Sequence, residues 1–136
     1  MKSRGERGAS AVEFAIILPI LVLLVFGIME FSVALYDKAM ITNASREAAR
    51  AGIVYRVPPV TDGEISNIVD NYLGSSLITF GTPVAASTAV TRTGYNPGDE
   101  LRVMVNYTYT FLIIPGFIAS LSGGIPMVAE TVMRME

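Results

Sequence analysis

Hydrophobic and polar positions fall into three regimes along the chain. From Phe14 to Met29 sixteen residues carry no charge; from Phe31 to about Ala51 apolar and charged positions interleave at helical spacing; from Leu101 to Phe111 large apolar residues fill every second position. The first regime reads as a membrane span. Sixteen residues at 1.5 Å rise cover roughly 24 Å against a hydrocarbon core of about 30 Å, and counting from Ala9 to Met29 extends the stretch to roughly 32 Å. The longer count puts Glu13 inside the apolar layer, where a lone carboxylate is costly. Glu13 therefore asks for a partner.

No glycine pair or turn cluster interrupts the chain from Ala9 to about Ala51, which predicts one helix roughly 60 Å long. Pro19, lacking an N–H, is expected to bend it near its inner end. Gly27 reads either as a site of close packing or as the ordinary glycine enrichment of membrane helices. In the outer half, Phe31, Leu35, Ala39 and Ala49 are expected on the side that packs on an outer domain, with Asp37, Lys38, Arg46, Glu47 and Arg50 facing elsewhere. Ala44, Ala48 and Gly52 recur every four residues. That spacing suits close approach of a neighbouring helix, and alanine's helix propensity accounts for it equally simply.

Pro58 and Pro59 end the long helix and mark a boundary. Thr61 followed by Glu64 forms a capping box, after which Ile65, Ile68, Val69, Tyr72 and Leu73 fall at helical spacing until Gly74. Val84 to Arg92 reads as a strand. Leu101, Val103, Val105, Tyr107, Tyr109 and Phe111 alternate with Arg102, Met104, Asn106, Thr108 and Thr110, which predicts a strand with one buried face. Pro97 and Gly98 suit a type II turn between the two, making a hairpin. Leu112 to Leu121 is apolar but broken by Pro115 and Gly116, so a loop with a short helix is expected under the sheet or on an exposed apolar surface. A last strand is expected around Val128 to Arg134. The fold class is thus α+β: a long N-terminal helix whose first half is transmembrane, a short helix and a small antiparallel sheet.

Composition narrows the function. Ten basic against 12 acidic residues give a net charge of −2, which offers no basic surface for nucleic acid. Cysteine and histidine are both absent, removing disulfides, thiol nucleophiles, most zinc sites and the commonest general base. No catalytic residue, metal, cofactor or small-molecule substrate is expected. Arg46, Glu47 and Arg50 form the densest charge group on the helix. Glu47 and Arg50, three apart, read first as a solvated ion pair, and second, with Arg46, as contacts to other subunits or to the membrane surface.

Lys2, Arg4 and Arg7 against Glu6 make the first residues basic, which keeps them cytoplasmic and sends the chain after Glu30 outward. Three readings compete for the segment: a secretory signal cut near Ser32, Val33 and Ala34, a plain uncleaved anchor, and a prepilin. The run Arg7, Gly8, Ala9, Ser10, Ala11, Val12, Glu13, Phe14 resembles a type IV prepilin processing site. Together with Leu18, Pro19, Ile20 and Leu21, then Gly27 to Glu30, then Asn43 to Arg50, it is similar to the TadE and TadG-like family, pilin-like proteins of tight-adherence systems. The likeness covers residues 8–52 well and the rest loosely, chiefly through Ala129 to Glu136.

The resemblance implies a leader of residues 1–8, a long helix over 9–56 with the span at about 14–29 and an extramembrane half at 30–52, and a small extracytoplasmic domain over 57–136. It implies processing by a prepilin peptidase between Gly8 and Ala9 and subunit docking through Glu13. A freed ammonium on Ala9 of one chain would neutralise Glu13 of another in an apolar assembly. The expected protein is a minor subunit or assembly factor of a tight-adherence (Flp-type) pilus or secretion apparatus, in the bacterial inner membrane, with the membrane and other pilin-like subunits as partners. The alternative is an uncleaved single-pass anchor presenting a protein-binding domain outside.

Overall fold

The computed structural model describes residues 4–80, 82–111 and 124–135, with side chains from residue 8 onward. Helix α1 runs unbroken over Arg4–Gly52, with Pro19 inside it. It starts one turn before the expected Ala9, because Arg4, Glu6 and Arg7 are good helix formers and a single glycine at position 8 costs only about 1 kcal/mol. The Val57–Pro58 peptide is cis in the turn that follows. Helix α2 (Asp62–Leu73) opens on the expected capping box: the Glu64 amide donates to Thr61 Oγ1 at 3.2 Å and the Thr61 amide to Glu64 Oε2 at 2.7 Å. These bonds and the Arg56 guanidinium hold the Glu64 carboxyl down at about 2.

Strands β1 (Ser87–Arg92), β2 (Glu100–Tyr109) and β3 (Ile125–Arg134) form one antiparallel sheet in the order β1-β2-β3. Leu101 stands opposite Arg92 on one side and Met133 on the other, and Tyr109 opposite Ile125. The β1–β2 hairpin turns at Pro97 and Gly98, where φ of +94° and an Asp99 amide bonded to the Asn96 carbonyl give the type II geometry. β1 starts at Ser87 rather than Val84, because only from Ser87 does it have a register partner in β2. β3 begins three residues before the expected Val128. It takes in Pro126 because it is an edge strand, where a missing N–H costs no ladder bond. The expected loop and helix over 112–121 lie outside the described residues.

All five alternating residues of β2 from Leu101 to Tyr109 are buried, as are Met127 and Ala129 of β3. This face packs on the outer half of α1, and Ile65, Val69 and Leu73 of α2 close the core. The α1 face differs from the expected one. Glu30, Ala34, Asp37, Ile41, Ala44, Ser45, Ala48 and Ala49 are buried, whereas Phe31, Leu35 and Ala39 are exposed. The helix meets the domain through a mixed face in which the small Ala34, Ala44, Ser45, Ala48 and Ala49 stand beside the larger Glu30, Asp37 and Ile41. The Ala44, Ala48, Gly52 stripe is consumed here, against the chain's own sheet. A Cβ on Gly52 would stand 2.5 Å from Leu101 Cδ2 and 2.7 Å from Ile65 Cδ1.

Candidate docking helix and its seam with the outer domain

The sequence-derived site residues lie along α1 at increasing distance from its start. Gly8 and Ala9 are on the first turns, and a Cβ on Gly8 would meet nothing within 4 Å. Ala9 and Glu13 are four residues apart and so share one helix face. Glu13 is exposed and has no ion-pair or hydrogen-bond partner among the described residues. From Val12 to Phe26 the side chains are exposed, and the most apolar window of this helix has a mean hydropathy of 2.8 with none of it buried. The helix is long and apolar enough to cross a membrane. Phe14 and Met29, at the ends of the apolar run, are 62 % and 50 % exposed. Gly27 is half-buried, yet a Cβ there would meet nothing within 4 Å, so packing within the chain does not require glycine.

Packing on the domain begins at Glu30, where the apolar run ends. Leu101 lies against Gly52, Thr131 Oγ1 is 2.8 Å from Ser45 Oγ, and the Asp37 region meets Tyr107 and Ile78. β2 therefore runs back toward the span and β3 away from it, roughly parallel to α1. The Lys38 ammonium donates to the Val128 carbonyl, tying β3 to the helix. The end of the domain nearest the span carries Glu30, Asp37, Tyr107 and Tyr109, all buried.

Sequence periodicity missed this cluster, since it placed Asp37 on the solvent side. Asp37 Oδ1 accepts from the Ile78 amide at 3.0 Å, while Oδ2 is buried without a hydrogen-bond partner. Burial pushes the Asp37 carboxyl up, opposed by the Ile78 amide and then by the Tyr107 hydroxyl. Burial first, and the charge of Asp37 second, push Tyr107 up to about 12. Tyr109 also reaches about 12 through burial and then the charges of Glu30 and Asp37.

The raised Asp37 pKa has a definite sign in stability. The folded state holds this proton more tightly than the unfolded chain, whose value is 3.8, so the contribution is complete below pH 3.8 and is lost as pH rises through the folded value. Glu64 works oppositely, losing its contribution between about 4.5 and 2, and the tyrosines act only above pH 10. Above pH 4.5, where Glu47 and Glu64 are ionised in both states, Asp37 is the carboxyl whose contribution still changes on the way up to its raised folded value. Its part of the thermal midpoint of the full chain in detergent rises as pH falls toward 3.8, and Asp37→Asn will remove that part of the pH dependence. An unchanged pH dependence in the variant would refute the assignment.

Glu47 and Arg50 form a two-bond ion pair, at 2.6 Å and 3.1 Å, on the exposed side of α1. The Arg50 guanidinium lowers the Glu47 carboxyl, and Glu47 raises Arg50 in return. Beside them an open groove of about 390 Å³ is lined by Asn43, Arg46, Tyr72, Thr131 and Met133. Arg46 is exposed there and joins no ion pair among the described residues.

No curated protein and no solved structure matches this chain. Residues 8–50, the segment that holds Gly8, Glu13, the apolar run and the Arg46 to Arg50 group, match the family model described as TadE-like protein.

Proposed function

We propose that this chain is a pilin-like minor subunit or assembly factor of a tight-adherence pilus or secretion apparatus, acting by membrane anchoring and subunit association. One observation carries the reading: a wholly exposed apolar helix passes without a break into a helix face that is buried in a folded domain, and the family match spans both parts. A span welded to its domain in this way serves to hold and place that domain. Nothing in the arrangement calls for a catalyst.

In this reading prepilin peptidase cuts between Gly8 and Ala9, and the new Ala9 ammonium of one subunit pairs with Glu13 of the next. The exposure of Glu13 on the bare part of the helix supports that role, since an acid there is satisfied only from outside the chain. The basic residues before Gly8 stay cytoplasmic and the domain lies beyond the inner membrane. Arg46 stands 16 positions beyond Glu30, roughly 24 Å along the helix. That exceeds the ~8 Å screening length of physiological salt, so Arg46, Glu47 and Arg50 face other subunits and not lipid headgroups.

The test is the intact mass and N-terminal sequence of the protein recovered from its native envelope, together with Glu13→Ala. A start at Ala9, and a Glu13→Ala chain that accumulates normally but drops out of assemblies by at least tenfold, is the expected result. A start at Met1 with unchanged association would replace the subunit by a permanent anchor presenting its outer domain.

A further inference from the structure

We propose that two copies of this chain, anchored side by side in one membrane, meet through Arg46 of one copy and Asp70 of the other. The proposal rests on the subunit reading above and names its lateral contact. Charge bookkeeping on the described residues singles out the pair. Arg50, Arg56, Arg92, Arg102 and Arg134 each hold a carboxylate of their own chain, and Lys38 holds the Val128 carbonyl. Arg46 alone among these arginines holds none. Of the acids beyond the apolar run, Glu30 and Asp37 are buried, Asp99 accepts from the Asn96 amide, and Glu47, Asp62, Glu64, Glu100 and Glu130 are in ion pairs. Among the described residues beyond the apolar run, Asp70 is the one exposed carboxylate left over.

Height above the membrane favours the same pair. Two chains whose spans cross one bilayer in the same sense put equal residues at equal heights, so groups that meet laterally must be level. α2 runs back toward the span, with Ile65 beside Gly52 and Tyr72 beside Asn43 and Arg46 in the groove. Asp70 lies between Ile65 and Tyr72 on α2 and is therefore level with the 46–50 stretch of α1. The two groups also face different ways. Asp70 precedes Tyr72 by two positions, roughly 200° around the helix, so it points away from the groove that Tyr72 and Arg46 share. Within one chain they form no ion pair, whereas between copies they complement each other. Because the contact joins unlike faces, each added copy leaves one Arg46 and one Asp70 open, and association continues until a ring closes or a row extends.

The chain has no cysteine, which makes thiol cross-linking clean. Because an arginine–aspartate pair sets its backbones farther apart than a disulfide spans, full-length R46C/D70C in membranes is treated with a bismaleimide of about 10 Å reach and is expected to give a ladder of dimers and higher species, and either single-cysteine variant none. In a fluorescence-transfer assay on full-length chains in vesicles, R46E and D70R will each weaken self-association by roughly tenfold, and the double reversal R46E/D70R will recover most of it. Strong dimers from R46C alone, single reversals without effect, or no recovery in the double variant would each overturn the contact. The two readings fail separately. A missing ladder from a chain still cut at Ala9 and still present in assemblies overturns this contact alone; a full ladder from a chain that starts at Met1 and never leaves the membrane overturns the pilus subunit and keeps the contact.

Discussion

Replacing Tyr109 with alanine will cost the folded domain about 3–5 kcal/mol, the range for truncating a buried aromatic ring. Tyr109 is fully buried at the end of β2, where it stacks edge-on against Phe111 with centroids 5.2 Å apart at 79°. That pairing adds about 0.5–1.5 kcal/mol to what area alone supplies. Its hydroxyl, however, has no hydrogen-bond partner among the described residues and lies in the field of Glu30 and Asp37. Tyr109→Phe will therefore be neutral or stabilise by about 1 kcal/mol, since it removes a desolvated hydroxyl and no bond. Urea unfolding of the full chain in detergent, followed by near-ultraviolet dichroism, separates the two. A Phe variant as damaged as the Ala variant would mean that the hydroxyl, and not the ring, carries the site.

The second large effect is at Gly52, where leucine will destabilise the domain by about 3 kcal/mol, the upper end of the usual cost of overpacking. A side chain there starts 2.5 Å from Leu101 Cδ2 and 2.7 Å from Ile65 Cδ1. Both neighbours are fully buried, so neither can swing aside into solvent. Gly27→Leu is the internal control: its Cβ meets nothing within 4 Å, and the same unfolding measurement will show no loss of domain stability. Equal losses at both glycines would indicate a general helix effect and would remove the packing argument.

The two glycines also show what sequence reasoning reaches. The spacing of Ala44, Ala48 and Gly52 announces a close approach, but nothing in the spacing says whether the approaching surface belongs to the same chain. The sheet of the same chain takes it. β2 was legible because its core face is apolar at every second position from Leu101 to Tyr109, while its other face, Met104 apart, is polar. The α2 cap was legible because Thr61 and Glu64 satisfy each other's backbone groups locally, without help from the rest of the fold.

The inner face of α1 was hidden for a physical reason. Just past the apolar run, the large apolar residues Phe31 and Leu35 lie on an exposed face, so hydrophobicity no longer marks the core. Two of the positions that do face the core, Glu30 and Asp37, are acids. A pattern read from polarity inverts there. Of the candidate site, the bare apolar helix with Glu13 upon it was readable in full. The seam of acids and tyrosines depends on β2 folding back over the helix from seventy residues later in the chain, and no local pattern encodes that.

Continuity of α1 also makes the molecule a lever. The part that grips the domain, from Glu30 to Gly52, is about 33 Å long and has no hinge between it and the span. Membrane helices commonly lean by about 20°, more where the bilayer is thin. With the apolar run set in a bilayer, a lean of that size would carry the far end of the domain sideways by roughly 11 Å, so lipid thickness would set where that surface is presented, and a pull on it would be felt as torque inside the bilayer.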